Sequence, residues 1–412
     1  MIAARRLPAV LREEAQFRLY FAGQSLSLIG DRITFVALPF AVLEAGGSAT
    51  AVGLVIGAQT LPFALLSLAA GVWADRLDRR RIMIASDAVR LVCQVAAGSL
   101  LLSGVAEPWH LAAIAAVYGA ADAFFSPAMT GLLPQIVQPH HLQQANALRS
   151  LTMSTGLILG PAAAGGLVLA VGAGGALLAD ALTFAVSIAF LTRLRPGTAE
   201  RAGEDEPAFL DGLLQGWREV RARPWVVSFL GALSAYHLIV LPSVFVLGPV
   251  LADRELGGAG AWALITAGFG AGAVTGDVLM LRWRPSRPLR ASAALMIVAS
   301  CQAAIIGSGL PVGAIAALEG LTGIGVTAFF TLWETSLQEH VPAHAISRVS
   351  SYDWTVSVGL MPVGTVLVGP LSDVAGLRAT MIGMTVVGIA AALACLAVPS
   401  VRGLGRPSPA PG

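Results

Sequence analysis

The chain has 412 residues, 56% of them hydrophobic and 12% charged, with a formal net charge of +2, whereas an ordinary soluble protein carries roughly 25% charged residues. Its 26 basic and 24 acidic side chains cannot cover a soluble body of this length, which excludes a cytosolic globular enzyme. A mean hydropathy of +0.76 directs the apolar residues to lipid.

All 26 basic residues are Arg, which together with the Ala and Gly load points to a GC-rich genome rather than to mechanism. Cys93, Cys301 and Cys395 lie far apart with no C-x-x-C spacing, so neither a disulfide framework nor a metal site is expected. The segment 1–18 is polar and mixed in charge, without the apolar run and cleavage site of a signal peptide; it reads as a cytoplasmic N-terminal segment. Apolar windows of about 20 residues, the length a helix needs to cross a bilayer, then follow at 19–43, 50–72, 82–103, 109–131, 150–171 and 174–192. After the polar stretch 193–224, which contains Glu204, Asp205 and Glu206 and a possible amphipathic turn over 210–220, six more windows run at 225–250, 260–281, 289–309, 311–333, 352–372 and 376–398. The tail 399–412 holds Pro407, Pro409 and Pro411 without apolar periodicity and is expected to be disordered.

This pattern predicts an all-α membrane protein of twelve transmembrane helices in two six-helix bundles, 19–192 and 225–398, joined by a cytoplasmic linker. Arginine placement sets the orientation. With both termini cytoplasmic, 22 arginines fall in inner segments, Arg254 and Arg378 fall in outer loops, and Arg32 and Arg90 lie inside helices, as the positive-inside rule requires. An internal repeat supports two halves. Leu38-Pro39 returns as Leu241-Pro242, Gly71 with Arg79 as Gly276 with Arg284, Phe124-Phe125 as Phe329-Phe330 and Gly156-Leu157 as Gly359-Leu360, at offsets of 203–205. Two such bundles predict a solute carrier whose binding cavity lies between them at the membrane midplane.

The segment after the second window reads Gly71-Val72-Trp73-Ala74-Asp75-Arg76-Leu77-Asp78-Arg79-Arg80-Arg81. It resembles the inner-loop signature of the major facilitator superfamily, G-x-x-x-D-R-x-x-R-R. The resemblance implies that Gly71, Asp75, Arg76, Arg79 and Arg80 form a gate that latches the outward-open state, with Asp122 and Asp353 meeting its arginines. Asp78 stands where that family usually has Gly. Otherwise the loop is an ordinary basic inner loop. In the fifth window, Gly156, Gly160, Pro161 and Gly165 resemble the antiporter motif of drug-exporting branches, with one extra residue before the glycine pair. Small residues there would let the helix touch the other half, and the alternative is plain helix packing. Segments 133–150 and 337–349, with the linker segment 212–218, are similar to the branch that holds the enterobactin exporter and macrolide efflux proteins.

Charges inside apolar windows cost roughly 2.5 to 3.5 kcal/mol on insertion scales, so each needs a cavity or a partner. Asp31 and Arg32 stand about 100° apart on the first helix and cannot neutralise one another. Asp31 is the candidate proton-coupling or substrate-contacting acid, or else a partner for another helix; Arg32 shares that candidacy. Asp87 and Arg90, three apart, read as a structural pair. Glu319 has no basic neighbour within a turn and is a second coupling candidate, its alternative being a protonated or hydrogen-bonded packing residue. His237 reads as a hydrogen-bonded helix residue, and Asp180 and Asp277 have no assigned role. The fourth helix lacks the Arg often associated with proton coupling in antiporter branches.

No P-loop, G-x-S-x-G or H-E-x-x-H occurs, and no enzyme activity, cofactor, metal or nucleic acid is expected. The expected function is alternating-access export of an amphipathic or hydrophobic small molecule, a drug, antibiotic or siderophore, by proton antiport. The protein would be a multi-pass monomer in the bilayer of the bacterial inner membrane. Alternatives are an uptake permease of the same fold or a non-transporting membrane receptor.

Overall fold

In hydrocarbon each backbone N–H and C=O must be paired within its own segment, which leaves helices as the way for these apolar windows to cross. The computed structural model of the chain describes residues 8–197, 217–342, 345, 346, 349, 350, 352, 353, 355 and 359–405, with the backbone alone for residues 68, 69 and 71–76. Among the described residues all regular structure is helical, and ten helices are long and apolar enough to cross a membrane.

The chain divides into two units, Met1–Glu204 and Asp205–Gly412. The first holds α1 (Ala9–Glu13), α2 (Ala15–Glu44), α3 (Ala49–Arg76), α4 (Arg79–Leu102), α5 (Pro108–Ile136) and α6 (Leu142–Leu191). The second holds α7 (Pro224–Leu256), α8 (Ala259–Met280), α9 (Pro288–Ile306), α10 (Val312–His340), α11 (Met361–Ala375), α12 (Leu377–Ala397) and α13 (Pro399–Gly403).

Helix α6 has 50 residues, about 75 Å at a rise of 1.5 Å per residue and far longer than a bilayer core. Its helical path is interrupted at Gly172, with φ 73° and ψ 172°, a conformation that is essentially restricted to glycine. The windows 150–171 and 174–192 fall on either side of that break. The second segment starts with its own cap: Ala173 N–H donates to the Glu44 carboxylate at the end of α2, 3.1 Å from Oε1. An acidic group satisfies both a free backbone donor and the positive helix end.

Helix α7 is α-helical over Pro224–Ala235 and then alternates with π-helical turns at Tyr236–Val240, Ser243–Leu247 and Ala252–Leu256. Pro242, which lacks a backbone donor, lies between the first two. The core of this unit is aromatic. Phe229 stacks on Trp333 with ring centroids 4.2 Å apart, Trp225 meets Trp333 edge-on at 5.9 Å, and Tyr236 meets Phe329 edge-on at 5.6 Å.

Three boundaries differ from the sequence expectation. Regular structure begins within 1–18, because Val10 and Phe17 are fully buried against the first unit's core. The linker 193–224 includes helical residues 217–221 and the buried Leu194 and Val220; its residues 198–216, with the acidic run, lie outside the described residues. In the tail, expected to be disordered from 399, residues Pro399–Gly403 form α13. Proline starts that helix, the buried Val401 anchors it in the second unit's core, and His340 Nε2 lies 3.0 Å from the Gly405 carbonyl oxygen. Residues 406–412 lie outside the described residues.

Candidate functional site

The densest charge in the first unit surrounds Arg90, on the middle of α4 and fully buried. Asp87 lies three residues earlier on the same face, and Arg90 Nη2 donates to its Oδ1. The guanidinium also reaches two other helices. Arg90 Nη1 donates to Asp122 Oδ1 on α5 at 3.1 Å and to Asp31 Oδ1 on α2 at 3.4 Å. The expected Asp87 and Arg90 pair is therefore a cluster of one cation and three carboxylates, because two neighbouring helices each direct an acid at the same guanidinium.

Aromatic rings enclose the cation. The Arg90 guanidinium carbon lies 4.1 Å from the ring centre of Phe125 and 4.5 Å from that of Phe184, so ring faces add to its stabilisation in low dielectric. Polar groups fix the carboxylates. Tyr118 Oη donates to Asp31 Oδ1 at 3.2 Å. Ser187 Oγ on α6 donates to Asp87 Oδ2 at 2.6 Å, and Gln24 Nε2 donates to Ser187 Oγ at 2.8 Å. Asp87 is fully buried, whereas the Asp31 and Asp122 side chains keep 31% and 37% of their surface exposed. The two exposed acids can meet a ligand or water, while the buried one holds the cation in place.

Asp31 and Arg32 diverge, as helix geometry requires. Asp31 faces α4 and α5, and Arg32 lies along α6. The Arg32 stem fills the space above Gly160, where an added Cβ would collide with Arg32 Cβ; at Gly156 it would lie 3.8 Å from Arg32 Cγ. Pro161 and Gly165 are buried on the same helix. The small residues were expected to serve contact with the other half. Within their own unit Gly156 and Gly160 serve the alternative, plain helix packing: they make room for a long charged side chain from α2.

The loop ahead of α4 is organised by its arginines and Asp78. The Asp78 carboxylate caps α4 by accepting the backbone N–H of Arg80 at 3.0 Å and of Arg81 at 3.3 Å, a role open to Asp but not to Gly. Arg79 Nη1 donates to the Gly131 carbonyl near the end of α5 at 2.7 Å. Arg80 donates to the Leu191 and Thr192 carbonyls at the end of α6, at 2.7 and 2.6 Å. Cations on helix C-terminal carbonyls satisfy free acceptors and the helix dipole together. The side chains of Gly71, Asp75 and Arg76 lie outside the described residues. Asp122, expected to meet arginines of this loop, is bonded to Arg90, and Asp353 accepts from Trp333 Nε1 at 3.1 Å within the second unit.

Among the described residues, two further buried acids have no cation in contact. Asp180, which sequence reasoning left unassigned, is fully buried on α6 and accepts from Thr34 Oγ1 on α2 and Gln94 Nε2 on α4, both at 2.7 Å. The available signal was faint: Thr183, three residues on, lies 3.0 Å from Asp180 Oδ1. Glu319 on α10 is 2% exposed. Its Oε2 lies 2.9 Å from Thr322 Oγ1 and accepts from Gln302 Nε2 at 3.4 Å, and Tyr236 Oη donates to Gln302 Oε1 at 2.7 Å. His237 Nδ1 lies 2.9 Å from the Leu233 carbonyl oxygen.

Long apolar helices fill both units, and the first carries a charged cluster among them. The family model of the Major Facilitator Superfamily matches residues 20–361, and the chain belongs to that superfamily. It is 29% identical over 395 residues to the multidrug efflux pump Tap of Mycolicibacterium fortuitum, covering 91% of this chain and 93% of that protein. It is 23% identical to macrolide efflux protein A of Streptococcus pyogenes, covering 94% and 97%. Among solved structures, the nucleoside transporter NupG superposes with a TM-score of 0.71 at 12% identity, covering 93% of this chain and 98% of that one. A bacterial homologue of the iron transporter ferroportin superposes with a TM-score of 0.70 at 16% identity, covering 93% and 100%. At such identities the structures speak for the fold alone.

Proposed function

We propose that the protein is a secondary transporter of the bacterial cytoplasmic membrane that exports an amphipathic or hydrophobic small molecule by proton antiport and alternating access. Ten long apolar helices, the break in α6 and the shorter α11 support twelve crossings. The arginine bias supports cytoplasmic termini. Two relatives aligned over more than nine-tenths of the chain bear efflux names, which supports export as the direction. The chain would work as a monomer, with Asp75, Arg76, Arg79 and Arg80 as the gating loop.

The observation that carries the reading is the Arg90 cluster. One cation faces three carboxylates inside membrane-spanning helices, and two of those acids are partly exposed. Such a surplus of negative charge in low dielectric attracts a proton or a polar part of the substrate. Asp31 is the acid assigned to that contact, with Arg32 beside it on α2. The test is efflux from cells expressing the chain in a strain without its own major exporters. A panel of macrolides, tetracyclines and lipophilic dyes is screened first, and the responding compound is then followed in inverted vesicles under an imposed pH gradient. Asp31→Asn is expected to reduce gradient-driven flux at least tenfold at normal protein levels. Undiminished flux would remove Asp31 from the mechanism, and no response to the panel or the gradient would remove proton-coupled export.

A further inference from the structure

The two buried acids outside the Arg90 cluster share an arrangement that the family match does not describe. In the first unit, Asp180 is followed three residues later by Thr183, with Gln94 from α4 and a hydroxyl, Thr34, from α2. In the second, Glu319 is followed three residues later by Thr322, with Gln302 from α9 and a hydroxyl, Tyr236, from α7. The amides lie on the third apolar window of each half and the hydroxyls on the first, whereas Asp180 lies on the sixth and Glu319 on the fourth, and the second hydroxyl bonds the amide rather than the acid. Gln94 and Gln302 are 208 residues apart and Thr34 and Tyr236 are 202 apart, close to the 203–205 offset of the repeat. Neither acid forms an ion pair among the described residues, in contrast to Asp31, Asp87 and Asp122.

We propose that Asp180 and Glu319 are twin proton-binding carboxyls, one in each unit, each held as the neutral acid by this carboxyl, threonine, glutamine and hydroxyl arrangement.

The argument rests on counting hydrogens. A threonine hydroxyl has one, yet Thr183 Oγ1 lies 2.8 Å from the carbonyl oxygen of Asp180 and 3.0 Å from its Oδ1. With the hydroxyl hydrogen on the carbonyl, the second contact becomes a hydrogen bond if the hydrogen belongs to Oδ1. The remaining hydrogens are placed. Thr34 donates its own to Asp180 Oδ2, and the two amide hydrogens of Gln94 go to Thr34 Oγ1 and Asp180 Oδ2. Oδ1 is thus the oxygen with room for a proton. Thr322 Oγ1 likewise lies 2.9 Å from both the Glu319 carbonyl oxygen and Oε2, so a proton on Oε2 would meet the threonine oxygen; unlike Asp180 Oδ1, that oxygen also accepts from Gln302, and Glu319 Oε1 is buried with no hydrogen-bond partner among the described residues. A full carboxylate with one oxygen unpaired inside a membrane is costly; a neutral acid avoids most of that penalty. When the proton leaves, the threonine hydroxyl turns from the backbone carbonyl to the carboxylate, so each site has two hydrogen-bonded states with the same heavy-atom positions.

The surroundings of the two sites differ. Asp31 on α2 and Tyr118 on α5 are the titratable neighbours of Asp180, and Arg90, four residues before Gln94 on α4, is paired with its three acids. Glu319 has Tyr236 on α7 and Cys301 on α9 as its titratable neighbours. The proposal deepens the proton-antiport reading by giving each unit its own proton-binding group.

The test is infrared spectroscopy of the full-length protein in liposomes at neutral pH, which detects the carbonyl stretch of a protonated carboxylic acid and its shift in D2O. Two such absorptions are expected in the unmodified protein. Asp180→Asn is expected to remove one, Glu319→Gln the other, and the double variant both, while Asp31→Asn leaves both in place. Should Asp180→Asn fail to fold, Thr183→Val is expected to shift the Asp180 absorption without removing it. No protonated-carboxyl absorption in the unmodified protein, or its persistence in the double variant, would overturn the proposal. Absorptions that behave as expected in a protein without gradient-driven flux would instead count against the transport reading alone.

Discussion

The two units contain matching numbers of apolar windows and solve the burial problem differently. The first places four aspartates and Arg90 between its helices, with Phe125 and Phe184 against the guanidinium. The second has a stack of Trp225, Phe229, Trp333, Tyr236 and Phe329, with the buried Glu319 and the half-buried Asp353, which accepts from Trp333, among its described residues. Ion pairs leave a buried charge unpaired when one partner is lost, whereas ring packing loses contact area and geometry without stranding a charge. A change of charge therefore has more partners to disturb in the first unit, whereas the core of the second rests mainly on ring packing.

The sharpest way to break this contrast is Arg90→Ala. It leaves three carboxylates without their cation and should cost about 3 to 5 kcal/mol, read as a large fall in the melting temperature of purified protein. Replacing the whole cluster, with Arg90→Leu, Asp31→Asn, Asp87→Asn and Asp122→Asn together, should recover most of that stability, because removal of all partners leaves no buried charge unpaired; efflux should stay absent. If the quadruple variant is as unstable as the single one, the cluster is not a self-contained electrostatic unit. In the second unit Trp333→Ala removes the ring that meets both Phe229 and Trp225 and should cost about 3 kcal/mol or more. Its efflux per folded molecule should change less than twofold, and a complete loss of specific efflux would overturn the division of labour.

Smaller effects refine the comparison. Gly160→Val drives a side chain into the Arg32 stem, and overpacking of this kind costs about 1 to 3 kcal/mol; pairing it with Arg32→Ala should relieve most of the cost in a double-mutant cycle. Ser187→Ala leaves one oxygen of the buried Asp87 without its donor and should cost about 1 to 3 kcal/mol, whereas Ser187→Thr should cost less.

The smallest effect lies outside the spans. Glu14, ahead of α2, accepts the Gln138 N–H at 3.2 Å and lies 3.1 Å from His141 Nδ1. The bond with His141 holds its carboxyl below the usual value. A depressed carboxyl stabilises the fold above its ordinary value of 4.5 and loses that contribution as pH falls through the lower folded value. Thermal stability of Glu14→Gln should accordingly fall short of the unmodified protein at neutral pH by at most about 1 kcal/mol, with the two converging in acid.

Much of the fold was legible because lipid imposes a simple rule: about 20 apolar residues per crossing. That rule located α2 to α5 and α7 to α10, and it separated the two segments of α6 at the position where Gly172 breaks the helix. The prolines and missing periodicity of the tail misled for Pro399–Gly403, where the burial of Val401 in a core made by distant helices, rather than local composition, produces α13. The site was legible only in part. Asp87 and Arg90 were recognisable at i and i+3, since helix geometry fixes such pairs.

Asp31 and Asp122 stand 59 and 32 residues from Arg90, and no local spacing indicates that they share its guanidinium. Asp180 had no assigned role for the same reason, its partners Thr34 and Gln94 being 146 and 86 residues away. By itself, then, the sequence determined the solvent of this chain, its apolar segments, its repeat and the basic signature after the second window, because each is set by composition or by period along one helix. The packing of α2, α4, α5 and α6 decided which charges meet, which small residues accommodate Arg32 and which acids stand without a cation. Those outcomes depend on how helices are rotated against one another, and that rotation is fixed by the side chains of all of them at once.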